Sequence, residues 1–132
     1  MSHVHAAAVA RDLTRIAAEE GVTILAGTDT GAGNSYMYPG FTLHAELEEL
    51  VAAGLSPLHA LQAATIRAAE WFRAADRFGT IAGGKAADLV LLARNPIEDI
   101  ASTREIAGVV LNGVYFDGAA LERLRTLEAA VP

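Results

Sequence analysis

Cysteine is absent from this chain, which excludes disulfide bonds and thiolate-ligated metal centres. Basic residues are scarce: 10 Lys and Arg face 16 Asp and Glu, for a formal net charge of −6. No basic stripe occurs anywhere. A nucleic-acid partner is therefore not expected, because phosphate contacts need a Lys/Arg surface. No apolar run approaches the roughly 20 residues of a membrane span, and no membrane partner is expected. The N-terminus has no apolar core of a signal peptide. These absences fit a cytoplasmic protein. Aromatic residues make up only 6% of the chain. What is present is an Ala-, Leu- and Gly-rich composition, 52% hydrophobic over 132 residues. That is the composition of a soluble globular protein, and one domain is the default at this length.

Val9, Leu13, Ile16 and Ala17 recur at helical spacing, with Arg11, Arg15, Glu19 and Glu20 opposite. The spacing predicts an amphipathic helix that Gly21 stops. The apolar run over residues 22–26 follows at once and predicts a buried strand. Residues 30–40 form a Gly-rich loop by composition. Thr42 is the expected N-cap of a second helix, with Leu43, Leu47, Leu50 and Val51 on one face and Gly54 as its stop. Ser56 and Pro57 open a third helix as cap and first residue, with Leu58, Leu61 and Thr65 expected on its inner face. A further helical stretch carries Ala68, Ala69 and Phe72. Beyond Gly79 the pattern changes to a strand over 88–93. Val109-Val110-Leu111, Asn112-Gly113 and Val114-Tyr115-Phe116 then spell a hairpin, because Asn-Gly favours the type I′ turn that matches strand twist. Residues 119–130 return to helical spacing through Leu121, Leu124 and Leu127. The chain divides near residue 78, into 1–77 and 78–132.

Asp29 is the residue most open to a chemical reading. It sits in Gly27-Thr28-Asp29-Thr30-Gly31, just after the expected strand. Aspartate there can simply cap a turn. Equally, α/β enzymes keep their chemistry at the carboxyl ends of buried strands, and the loop behind it holds Asn34, Ser35, Tyr36 and Tyr38. Long loops in compact domains are often functional. His44, with Glu46 two residues on, reads either as a substrate contact or weak metal ligand, or as a surface or capping histidine. His59 is expected to face solvent. His3 and His5 have ligand-like spacing but no strand around them. Residues 79–85 match the spacing of a phosphate-binding loop, yet Ala86 stands where a hydroxyl should be and a strand follows where a helix should.

Taken in order, four stretches resemble the amidohydrolase superfamily near its carboxyl end, in the imidazolonepropionase-like and Xaa-Pro-dipeptidase-like branch. They are residues 21–29, ending Ala26-Gly27-Thr28-Asp29; Leu43-His44-Ala45-Glu46-Leu47 through Gly54-Leu55-Ser56-Pro57; Ala60-Leu61-Gln62-Ala63-Ala64-Thr65; and Gly79-Thr80-Ile81 through Asp88-Leu89-Val90-Leu91-Leu92, with Asn95-Pro96 behind. The resemblance implies an α/β fold: the last helix–strand unit of a metal-dependent hydrolase (β/α)₈ barrel over 1–77, then part of a small β-sandwich domain with a C-terminal helix over 78–132. It implies hydrolysis of C–N bonds in an amide, cyclic amide or dipeptide, with a divalent metal such as zinc in the full-length parent. Asp29 would contact that metal and transfer protons. Thr30, Tyr36 and His44 would be substrate contacts. The remaining barrel strands and their histidines are missing from this sequence. The chain alone is expected to be inactive, with no metal of its own, and to pair with copies of itself or with a complementary chain segment. The alternative is a standalone structural or interaction module.

Overall fold

A computed structural model describes residues 3–30 and 39–128. Helix α1 spans His3–Glu19. Its end is a Schellman motif: the Gly21 N–H donates to the Ala18 carbonyl and the Val22 N–H to the Ala17 carbonyl, at 3.1 and 2.9 Å,. Helix α2, Phe41–Ala52, is closed in the same way at Gly54. Its N-cap is Gly40 and not Thr42, and no side chain caps it. Helix α3, Pro57–Ala63, starts as its sequence predicts, with the Ser56 hydroxyl accepting from the His59 N–H at 3.2 Å and Pro57 at the first position. Helix α4 is short, Ile66–Trp71.

The core lies among these helices. Leu47 and Leu50 of α2, Leu55, Ala60 and Ala63 of α3, and Ile100 form one buried cluster, with Ala18, Ile24, Ala26 and Leu61 packed against it. The inner residues of α3 are thus Ala60 and Ala63, which are fully covered. Leu58 and Thr65 are exposed. The small side chains of α3 are the ones that meet Leu47 and Leu50 of α2.

The expected strand over 22–26 is not part of any sheet. Residues 22–29 form neither helix nor ladder pair. A strand needs a neighbour to satisfy its backbone, and among the described residues none lies alongside. The apolar stripe of α1 lacks cover for the same reason, so that Leu13 and Ile16 are exposed.

The second half holds the only sheet among the described residues, three antiparallel strands in the order β1-β2-β3: Leu89–Leu92, Ile106–Leu111 and Val114–Asp117. Leu111 pairs with Val114 across the turn. Asn112 and Gly113 have φ of 50° and 80°, the left-handed pair that a type I′ turn requires. A 3₁₀ turn, Ile100–Arg104, links β1 to β2 and packs on α2. Helix α5 covers Gly118–Glu128.

The phosphate-loop spacing over 79–85 has a structural explanation. Gly79 lies against α4 with φ +89°, and a Cβ there would stand 2.8 Å from the Ile66 Cα and 2.9 Å from the Ala69 Cβ. Lys85 donates to the Ala75 carbonyl at 2.7 Å and to the Thr80 hydroxyl. Because the obstacle at Gly79 is backbone, Gly79→Ala is expected to destabilise the chain by more than about 1 kcal/mol. Gly83→Ala, in open space, should stay within about 0.5 kcal/mol. Urea denaturation of the two variants checks this, and equal midpoints would contradict it.

Candidate functional site

The run over 22–29 carries Asp29 at its far end. Ile24 and Ala26 face the core, the two-residue alternation of an extended chain. Two tethers hold the run near its end. The Ala26 N–H donates to the Ala63 carbonyl at 3.2 Å, and the Gly27 N–H donates to Oε1 of Glu46 at 3.4 Å. One step on, the Thr28 hydroxyl donates to the Thr30 hydroxyl at 3.4 Å. Asp29 stands between them with φ +48°. A left-handed conformation costs a non-glycine residue about 1–3 kcal/mol and persists only where the surroundings impose it, although aspartate tolerates it better than most residues. The Asp29 carboxylate is exposed and makes no hydrogen bond or ion pair among the described residues. It does not cap a turn; it is presented outward.

The structure joins Thr30 to the Asp29 turn. Asn34, Ser35, Tyr36 and Tyr38 lie outside the described residues. His44 is placed elsewhere. It is half-buried in the first turn of α2, and its Nδ1 lies 3.1 Å from the Thr103 hydroxyl, which itself donates to the Ile100 carbonyl at 2.9 Å. A hydroxyl has one proton to give, so the network assigns Nδ1–H as donor to Thr103 and leaves Nε2 as the lone-pair nitrogen of the neutral ring. Two residues on, Glu46 turns to the Asp29 run, and at Glu48 the helix faces the 3₁₀ turn again, where the Arg104 Nε donates to Oε1 at 2.8 Å. His44 and Asp29 are thus attached to different neighbours of α2. His59 is exposed, as expected. Sequence reading noted Glu46 beside His44 but gave it no role, although it stands one turn from both Leu43 and Leu50, at the edge of the buried stripe. Thr103 and Arg104 carry no periodic signal that could have marked them.

Among the described residues, no three His, Asp or Glu side chains are grouped to hold a metal ion. Two open clefts of about 240 and 220 Å³ share the lining residues Ala18, Leu55 and His59, and the first also touches the start of the run at Val22, Thr23 and Ile24. Neither reaches Asp29. No helix among the described residues is long and apolar enough to cross a membrane.

The pKa of His44 is lowered, chiefly by burial and then by the charge of Arg104, with Glu48 opposing. The fold therefore disfavours the imidazolium. In mild acid the unfolded chain binds the proton more readily, so stability falls as pH drops through the ordinary histidine value of about 6.5. Urea midpoints measured from about pH 7.5 to about pH 5 should decline in the wild type. His44→Gln should flatten that decline, and an unchanged slope would contradict the assignment.

These features can be set beside known proteins. None of the curated proteins matches the chain in sequence. Among solved structures, it is similar to an Xaa-Pro dipeptidase with methionine bound in its active site, 35% identical over 82% of this chain and 25% of that one, with a TM-score of 0.73. It is similar to phenylurea hydrolase B at 32% identity, over 83% of this chain and 27% of that one, with a TM-score of 0.71. Molinate hydrolase is 28% identical over 90% of this chain and 28% of its own, with a TM-score of 0.72. The chain thus spans between a quarter and three-tenths of the length of each. Residues 4–115 match the Amidohydrolase family, and with the likeness to these hydrolases that match places the chain in the amidohydrolase family.

Proposed function

We propose that this chain is the carboxyl-terminal segment of a metal-dependent amidohydrolase that cleaves C–N bonds in small amides, cyclic amides or dipeptides. The observation that carries this reading is the position of Asp29. An exposed carboxylate, unpaired among the described residues, stands at the end of an apolar run, inside the stretch that matches the Amidohydrolase family. In this reading the run over 22–26 is the last strand of a (β/α)₈ barrel, residues 1–77 close that barrel, and 78–132 belong to a small β-sandwich. The absence of a ladder partner in the described residues accords with strands supplied from outside them.

Asp29 is a carboxylate oxygen donor, suited to a single ligand position on a divalent cation such as zinc. A catalytic zinc takes about three protein ligands. The described residues therefore do not fit a complete centre, and no step is derived through an ion held by this chain alone. A bound cation supplies the acidity of a coordinated water. The part of Asp29 is proton transfer: its free carboxylate accepts a proton on the side of the attacking water and returns it to the leaving nitrogen. Thr30, which shares the Asp29 turn, together with Tyr36 and His44, is assigned to substrate contact. The Xaa-Pro dipeptidase likeness favours a dipeptide substrate. The uncovered apolar faces of α1 and of the run favour a second copy or a complementary chain segment as partner. They equally support a second reading, a structural or interaction module that needs no metal.

Expressed without its first five residues, so that His3 and His5 cannot interfere, and dialysed against a mild chelator, the chain is expected to keep only substoichiometric zinc and to leave Xaa-Pro dipeptides uncleaved. Tight stoichiometric zinc would overturn the claim of an incomplete centre. Reconstituted with a complementary barrel segment, it should gain dipeptidase activity, and Asp29→Asn should lower kcat about 10²–10⁴-fold. A stable assembly with no hydrolysis would favour the module instead.

A further inference from the structure

We propose that Glu46 is the positioning residue of the Asp29 carboxylate, acting through the backbone of Gly27; the proposal rests on the reading of Asp29 given above. The run over 22–29 has no ladder partner among the described residues, so its backbone orientation is decided by few contacts. Two adjacent amides carry them. The Ala26 N–H goes to the Ala63 carbonyl at the end of α3, and the Gly27 N–H goes to the Glu46 carboxylate on α2. The tethers come from two different helices, and with the packing of Ile24 and Ala26 on the core they limit rotation of the run about its own axis. The Glu46 tether is the one that acts nearest to Asp29.

Gly27 is two residues before Asp29, whose φ of +48° places the carboxylate outside the ordinary path of a strand. A twist at Gly27 is thus passed directly to the Asp29 side chain. Glu46 is well suited to oppose it. It is half-buried, and its neighbour Leu47 and the next-turn Leu50 are both core residues. Its own helix is therefore fixed by packing, which is what a supporting side chain needs. Among the described residues, no other side chain from outside the run bonds its backbone. Glu46 touches neither substrate nor reacting atoms, so its effect must pass through Gly27.

The test is amide hydrogen exchange by NMR on the ¹⁵N-labelled chain, in the wild type, Glu46→Gln and Glu46→Met. Gln keeps an acceptor oxygen, whereas Met keeps the length and helix preference without one. In the wild type, the Gly27 amide is expected to be protected relative to Thr28. Glu46→Met should speed Gly27 exchange about tenfold and shift the Asp29 HN–Hα coupling, while Ala53 at the end of α2 exchanges as before. Glu46→Gln should restore most of the protection. An unprotected Gly27 in the wild type would overturn the proposal without any variant. Equal Gly27 rates in Gln and Met would overturn it as well. In the reconstituted enzyme Glu46→Met should lower kcat with KM little changed, and Glu46→Gln should recover it. Asp29→Asn is assayed in parallel. If that variant kept full activity, the reading of Asp29 would fail, and the exchange data would still decide separately whether Glu46 orients the run.

Discussion

The meeting of Leu47 and Leu50 on α2 with Ala60 and Ala63 on α3 is the contact on which the described structure depends. Small residues on α3 let the two helices approach, and the buried leucines supply most of the apolar area that holds them there. Everything else is referred to this pair. The run toward Asp29 is tethered to the end of α3 and to the side of α2. The second half of the chain reaches the same helix through Ile100, Thr103 and Arg104. Helix α2 therefore stands between the candidate site and the small sheet.

Polar groups along α2 divide by direction. Glu49 takes both forks of Arg11 from α1, at 2.6 and 2.8 Å, and that hydrogen bond holds the Glu49 carboxyl below its usual range. The pair is exposed, so it aligns the helices more than it stabilises them. His44 and Glu48 turn toward the 3₁₀ turn, and Glu46 turns toward the run. Ser102, in the same 3₁₀ turn, is buried with its hydroxyl unpaired among the described residues. The arrangement is dense in the middle and open at the edges, where Leu13, Val22, Trp71, Phe72 and Ile81 remain exposed. These exposed apolar side chains accord with the proposal that further structure covers α1 and the run.

Much of the local structure was legible in the residues. The stops at Gly21 and Gly54, the Ser56-Pro57 start and the Asn112-Gly113 turn each rest on the conformational limits of one or two residues, so no distant partner can change them. The strand expected over 22–26 was legible only as an apolar run. Its pairing depends on neighbours that local pattern does not contain, and the described residues provide none. The N-cap of α2 was misplaced by two residues because Gly40, at φ +81°, begins the helix without any side-chain bond to announce it. The candidate site shows the same division. Asp29 could be singled out from Gly-Thr-Asp-Thr-Gly after an apolar run. His44 could be noticed, but its bond to Thr103 joins residues 59 apart in the chain.

By itself, then, the sequence determined the helix stops at Gly21 and Gly54, the Ser56-Pro57 start, the hairpin turn, the family motifs and the identity of the exposed carboxylate, because each is written in neighbouring residues through sterics and hydrogen-bond geometry. Only the tertiary structure decided that α2 supports the Asp29 run through Glu46, that His44 faces Thr103, and that Gly79 is small to clear α4. Those are contacts between residues far apart in the chain. Which of them form is settled by how helices and sheet pack together, and no local pattern of residue types encodes that choice.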